Sequence, residues 1–418
     1  MTPEAIAWLS LGLLLARWLG EQVLEALNRG HARAHVGAVP EAFRDMLSPE
    51  AYGRSVEYTL AKSRFSAFEV TRSTLVTVAL LFSGILPAFW NAWVSWAGTS
   101  VWADAAGLIL VGGAVGLTGL PSDAWAQFRL EERFGFNTTT VRTWWLDRLK
   151  GAGLAVALGV PVLALLLFLF EVAGPFWWLW AWGALLGVQA ILLVLAPVLI
   201  LPLFNKFQPL PEGALRDRLV RLAERTGFAH RGLEVMDGSR RSRHANAFFT
   251  GIGRFRKIVL FDTLLAQLGE DEVEAVLAHE IGHYRLRHVP KLLASSALIS
   301  LAGFAALAWL AGHAPFFRAF GFEQPLPALA FLLFGFLSDS VTFWLSPLSS
   351  ALARRFEYQA DAYASRAVGS PEGLIGALRK LHTKNLANLV PHPLYSGFHY
   401  SHPTLVEREA ALKRSPQA

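Results

Sequence analysis

Seven apolar stretches, each about 20 residues and so long enough to cross the hydrocarbon core of a bilayer as a helix, punctuate this chain of 418 residues. They cover residues 6–27, 75–96, 101–120, 152–169, 177–202, 292–312 and 326–348. The first could be a cleaved signal peptide, since Ala32-Arg33-Ala34 resembles a cleavage site. However, no Lys or Arg precedes it and Glu4 does, the wrong charge for the basic start of such a signal, so a retained helix is expected. The rest of the chain could not dissolve these stretches as a soluble protein. Charged residues are 17% and apolar ones 53%, against roughly 25% charged in soluble domains. Hydrophobicity this high also excludes intrinsic disorder.

Apart from Arg17, basic residues fall outside the spans and on alternate connections. Arg29, Arg33, Arg44, Arg54, Lys62, Arg64 and Arg72 follow span one, and Arg129, Arg133, Arg142, Arg148 and Lys150 follow span three. The connections after spans two and four carry none. The net charge of +6 is therefore read as a topology signal and not as a nucleic-acid footprint. The positive-inside rule turns these loops to the cytoplasm and the N-terminus outward. Four regions follow: 1–204 with spans one to five, 205–291 as a cytoplasmic catalytic part, 292–350 with spans six and seven, and 351–418 as a second catalytic part. The last two spans form a hairpin that can bring the two hydrophilic parts together as one domain. In the first part, 215–225 and 271–287 read as helices. Residues 233–236, 245–249 and 256–261 read as strands, with Gly251-Ile252-Gly253 as a turn. A further helix over 352–367 stops at Gly369.

The absence of cysteine excludes disulfides, thiol catalysis and Cys-ligated zinc. Any metal must be held by His, Asp or Glu. In the 271–287 helix stands His279-Glu280-Ile281-Gly282-His283. Residues four apart on a helix differ by about 40° in azimuth and about 6 Å along the axis. Both imidazoles can therefore reach one ion, with Glu280 beside them to take a proton from water. This is the H-E-x-x-H pattern of zinc hydrolases. A catalytic zinc needs a third protein ligand and an open position. His288 is close in sequence but leaves the face that His279 and His283 share. Glu357 is the better candidate, paired at i,i+4 with Asp361, so that one carboxylate can bind metal and the other a ligand imidazole. Zinc would lower the pKa of bound water toward about 7. Glu280 would act as base and then acid, and His402 and Arg408 are candidate donors to the oxyanion.

With these residues on the page, the chain resembles the type-I CAAX prenyl protease family of integral-membrane zinc endopeptidases. The likeness extends beyond the metal motif, to Lys62-Ser63-Arg64-Phe65-Ser66, Glu132-Arg133-Phe134-Gly135-Phe136-Asn137, Leu203-Phe204-Asn205-Lys206-Phe207 and His244-Ala245-Asn246-Ala247-Phe248-Phe249. It continues through Glu357-Tyr358-Gln359-Ala360-Asp361 and His399-Tyr400-Ser401-His402-Pro403-Thr404-Leu405. The resemblance implies a mainly α membrane protein, a seven-transmembrane helical barrel enclosing a chamber and capped by a zincin-like α+β zinc metalloprotease domain. A water-filled chamber would accommodate polar residues in or near the spans, such as Arg17, Asp104 and Asp339. It implies one Zn2+ on His279, His283 and Glu357, with Glu280 as catalytic base and Asp361 behind the ligands. His402 and Arg408 become substrate or transition-state contacts. Asn246 and Ala247 fall where an edge strand takes up substrate backbone.

The expected function is zinc endopeptidase, with peptides or proteins, lipidated or membrane-associated, and the bilayer as partners. Arg outnumbers Lys 30 to 8, which points to a GC-rich bacterium and its inner membrane, where farnesylated substrates are not general. Two alternatives stand beside peptidase action: a quality-control or translocon-clearing factor, and a transporter-like chamber with a structural zinc.

Overall fold

The computed structural model describes residues 1–37, 39–45, 47–228, 232–250 and 257–414. Its N-terminal half is helical: α1 (Pro3–Ala34), α2 (Pro49–Phe82), α3 (Ile85–Ala97), α4 (Val101–Trp125), α5 (Val141–Val172) and α6 (Trp177–Leu195). The hydroxyls of Thr2, Ser48, Ser100 and Thr140 accept a backbone N–H three residues on, at 3.1–3.3 Å, and so start α1, α2, α4 and α5. Two helices continue through π-helical segments, α4 through Ala126–Glu131 and α6 through Ala196–Ile200.

Six helical runs among the described residues are long and apolar enough to cross a membrane: Pro49–Phe82, Val101–Phe134, Val141–Val172, Gly174–Phe204, His288–Ala311 and Pro327–Val368. α1, expected as the first span, is 32 residues long but is not one of the six, because Arg17, Glu21 and Gln22 dilute its apolar run. Arg17 meets Asp339 at 2.7 Å, and Asp104 lies in the first turn of α4. The stretch expected as one span over 75–96 is divided. α2 stops at Phe82, Gly84 adopts φ 81°, and α3 begins afresh. Average hydropathy is blind to such a break, because the residues on both sides of the glycine are apolar.

The second half builds a small sheet from β1 (Phe207–Pro209), β2 (Gly232–Met236), β3 (Ala247–Thr250) and β4 (Lys257–Phe261), in the order β1-β2-β4-β3. β2 and β4 are parallel, and the outer pairs are antiparallel. β1 was not anticipated, since three residues ending in Pro carry no alternation. The expected Gly251-Ile252-Gly253 turn and Arg256 lie outside the described residues. Between β1 and β2 runs α7 (Ala214–Arg225), and after the sheet come α8 (Glu270–Arg285) and α9 (His288–Ala311). Glu272 caps α8 by accepting the Gly269 N–H at 2.7 Å, and Glu270 and Asp271 add negative charge at the helix's positive end.

α10 (Pro327–Thr342) is joined by a single 3-10 turn, Phe343–Leu345, to α11 (Ser346–Val368). The last apolar span thus runs directly into the helix that bears Glu357. Gly369, at φ 88°, ends it. α12 (Glu372–Lys384), α13 (Pro393–His399) and α14 (Leu405–Arg414) complete the chain. α7, the sheet, α8, α11, α12 and α14 share one core, with Leu219, Leu222, Leu260, Ala278, Ile281 and Ala377 at its centre. Arg241 braces this core to the membrane helices. It donates to Asp147 on α5 at 2.8 and 3.0 Å, to Asn205 Oδ1 at 2.9 Å and to the Phe204 carbonyl at 2.6 Å.

One close helix–helix approach bears on the metal motif. A Cβ at Gly282 would stand 3.2 Å from Ala360 Cα, from the Ala360 carbonyl oxygen and from Tyr363 Cβ. Only a residue without a side chain lets α8 and α11 meet backbone to backbone here. Gly282→Leu is expected to force the helices apart and to lower stability by about 1–3 kcal/mol, measured by thermal or denaturant unfolding in detergent.

Candidate metal centre and active site

α8 and α11 cross so that three ligand atoms, one each from His279, His283 and Glu357, lie within 4.8 Å of one another. The Nε2 atoms of the two imidazoles face each other at 3.1 Å. Glu357 approaches both, Oε1 at 3.2 Å from His283 Nε2 and Oε2 at 3.4 Å from His279 Nε2. Glu357 Oε2 is buried and has no hydrogen-bond partner. Two imidazole nitrogens and a carboxylate converging on one point, with an oxygen left unsatisfied there, fit a divalent cation. A set of two histidines and one carboxylate is the kind that leaves a further coordination position open.

Behind these residues, His279 Nδ1 lies 2.8 Å from Asp361 Oδ1. Arg408, from α14, closes on Asp361 with two bonds, Nε to Oδ2 at 2.8 Å and Nη2 to Oδ1 at 2.5 Å. Its Nη1 stands 3.5 Å from Glu357 Oε2. Asp361 and Arg408 are 1% and 5% exposed, so each neutralises a charge that would otherwise be buried alone. Burial works against a charged Arg408, but the bond to Asp361 prevails and raises its pKa. The same competition acts on His279. Burial opposes its charged form, yet the hydrogen bond to Asp361 and the neighbouring Glu357 carboxylate win and lift it to about 9. The carboxylates that hold a proton on this ring are thus placed to favour a cation.

Glu280 lines the same cleft, a cavity of about 190 Å³ that it shares with Asn246, Ala247, His382, His402 and Arg408. Burial pushes the Glu280 carboxyl above its ordinary pKa, against the pull of His279 and His283. His402 brings Nε2 to 3.4 Å from Glu357 Oε1, and Ser401 Oγ lies 2.9 Å from its Nδ1. Asn246 precedes β3 and Ala247 opens it, and β3 is an edge strand of the sheet. The Phe261 N–H donates to the Asn246 carbonyl at 3.1 Å, so the backbone of Ala247, one residue on, faces the open edge. The Asn246 side chain accepts the Ala247 N–H at 2.8 Å, and among the described residues no strand pairs with that edge.

All nine residues singled out from the sequence therefore gather in or directly behind one cleft. His288 does not join the ligand atoms. It contacts the other nitrogen of His283, Nδ1 to Nδ1 at 3.0 Å. His382 was missed, a lone histidine on an amphipathic helix with no partner at ligand spacing. It lines the cleft and also a neighbouring cavity of about 610 Å³, where Glu25, Lys62, His244, Tyr400 and His402 also stand.

Comparison with known proteins accords with this geometry. Residues 28–206 match the family described as CAAX prenyl protease N-terminal, five membrane helices, and residues 209–415 match peptidase family M48. The CAAX prenyl protease 1 homolog of Arabidopsis thaliana is 33% identical, with 96% of each chain covered. CAAX prenyl protease 1 of Saccharomyces cerevisiae is 35% identical, over 90% of this chain and 88% of that one. The Homo sapiens homolog is 34% identical over 91% and 89%. A crystal structure of S. mikatae Ste24p superposes with a TM-score of 0.91 at 33% identity, covering 97% of this chain and 98% of that one.

Replacing Arg408 by Met should leave Asp361 as a buried carboxylate without its cationic partner. The expected cost is about 3–5 kcal/mol, seen as a lowered unfolding midpoint in detergent.

Proposed function

Because the chain belongs to peptidase family M48, in its CAAX prenyl protease branch, we propose that this membrane metalloprotease is a zinc endopeptidase cleaving C-terminal to a prenylated cysteine. The observation that carries the reading is the mutual approach of His279, His283 and Glu357 beside Glu280. In this reading His279, His283 and Glu357 hold one Zn2+, which when bound supplies Lewis acidity toward water or carbonyl oxygen.

The protein's own groups do the remaining work. Glu280, raised in pKa by its burial, takes the proton of the attacking water and passes it to the leaving amine. Asp361 holds the Nδ1 proton of His279 and so fixes that ring. His402, in the same cleft as Glu280, donates to the oxyanion of the tetrahedral intermediate. Arg408 keeps Asp361 ionised and adds positive charge where that oxyanion develops. Substrate backbone pairs with the open side of β3 at Asn246 and Ala247, which presents an extended peptide to the cleft.

We assign the surrounding architecture in the same terms: α1 joins the six apolar runs in a seven-helix barrel around a chamber, and the catalytic domain, from 205–291 and 351–418, caps its cytoplasmic face. The distribution of Lys and Arg along the loops supports that orientation. The 610 Å³ cavity, which meets the cleft at His382 and His402, supports a polar compartment beside the site. A bacterial inner membrane is the setting that the Arg bias favours, with membrane-associated or lipidated proteins as substrates.

Glu280→Gln should retain zinc, measured by elemental analysis, while hydrolysis of a farnesylated peptide falls by about 10²–10⁴-fold. Unchanged turnover would remove Glu280 from the mechanism. Zinc chelation should abolish cleavage and added zinc restore it. Wild type should cleave the farnesylated peptide in preference to an unprenylated control, whereas equal rates would assign a general membrane protease.

A further inference from the structure

We propose that His288 and Gln359 form a hydrogen-bond relay that fixes the tautomer of His283 and keeps its Nε2 lone pair directed at the metal position. The proposal rests on the metal-centre reading above and extends it to two residues outside the cleft.

His288 opens α9 and is completely buried, at 0% exposure. Its ring lies flat on Phe356, centroids 4.3 Å apart and planes 7° from parallel. Each ring nitrogen has one polar neighbour. Nε2 is 3.0 Å from Gln359 Oε1, and Nδ1 is 3.0 Å from His283 Nδ1. An amide oxygen can only accept, so His288 carries its proton on Nε2. A neutral imidazole has a single N–H, which leaves a lone pair on His288 Nδ1. His283 Nδ1 must then be the donor, and the lone pair of His283 falls on Nε2. That atom is the one facing His279 Nε2 and Glu357 Oε1. Turning the Gln359 amide over would reverse every step and put hydrogen on His283 Nε2, where a metal ligand cannot carry one.

The two ligand histidines are thus oriented by different means. His279 donates its Nδ1 proton to a carboxylate, Asp361, which Arg408 holds ionised. His283 donates to a neutral imidazole backed by a neutral amide, which adds no negative charge near the cation. Gln359 lies between Glu357 and Asp361 on α11, so one helix carries a ligand and an orienting group for each histidine. His288 cannot be a ligand in this arrangement, because it faces the opposite nitrogen of His283. It is a positioning residue.

The test uses the full-length protein in detergent, with zinc affinity read by competition against a chelator. His288→Phe keeps a buried aromatic ring to stack on Phe356 but has no acceptor. His288→Asn loses the stacking ring but returns an acceptor oxygen close to where Nδ1 stood. A relay predicts that His288→Phe and Gln359→Leu each weaken zinc binding about 10–100-fold, that His288→Asn stays within a few-fold of wild type, and that the Phe/Leu double variant binds no more weakly than His288→Phe alone. A packing role predicts the reverse order, with Phe better than Asn. Unchanged affinity in His288→Phe, equal loss in Asn and Phe, or additive losses in the double variant would overturn the relay. If His288→Phe yields no folded protein, Gln359→Leu decides, since unchanged affinity there also overturns it. His283→Ala separates the two levels. If it loses zinc while the His288 and Gln359 variants do not, only the relay fails. If it too binds as wild type, the metal centre itself is wrong.

Discussion

The contact between α8 at Gly282 and α11 at Ala360 sets the distance on which the centre depends. A ligand set drawn from two helices works only if the helix axes come close enough for short side chains to converge. Here the facing positions are small: Gly282, Ala278, Ala360 and Ala364 are all buried. Helix separation is governed by the side chains at the crossing, and this seam is narrow enough for the imidazoles of one helix to reach the carboxylate of the other at 3.2–3.4 Å. The seam is buried, and the carboxylates of α11 that face it are paired. Asp361 has Arg408, and Glu357 has the two imidazoles with Arg408 Nη1 behind.

The local half of this arrangement was readable in advance. His279, Glu280 and His283 act over one turn of one helix, and spacing along a helix is geometry. Glu357 and Asp361 were readable as a pair sharing a face, but no spacing could say which helix they would meet, since 74 residues and two apolar spans separate Glu357 from His283. The need for a third ligand in a chain without cysteine pointed to Glu357, and the likeness to known proteases supported that long-range pairing. His288 was set aside because it left the ligand face. That argument excluded it as a ligand but could not reveal that it returns to the far side of the His283 ring, because Arg287, at φ 57°, turns the chain between α8 and α9. Hydropathy located the apolar runs and missed where they bend. The Gly84 break and the charged interior of α1 depend on backbone conformation and on pairing across helices, as Arg17 with Asp339. β1 was invisible because its order comes from its neighbour β2 and not from its own three residues.

The sheet edge and the helix seam answer different needs. Ala247 turns its backbone to the open edge of the sheet beside the cleft, where hydrogen bonds do not depend on side chains. The metal centre is held by groups that are nearly all buried and paired. An unpaired sheet edge thus borders a tightly paired cluster of charges, and Arg241 ties the catalytic part to the ends of the membrane helices through Asp147, Phe204 and Asn205.

The near-continuity of α10 and α11 has a mechanical corollary. From Thr342 to Glu357 the chain climbs about 22 Å at the helical rise, softened only by one 3-10 turn and the Pro347 that follows it. A tilt of about 5° about the lower end would swing the far carboxylate by about 2 Å, most of a coordination bond. Were the rod to lean with bilayer thickness, the near-unbroken helix would carry that lean to Glu357 as a lever carries force to a latch.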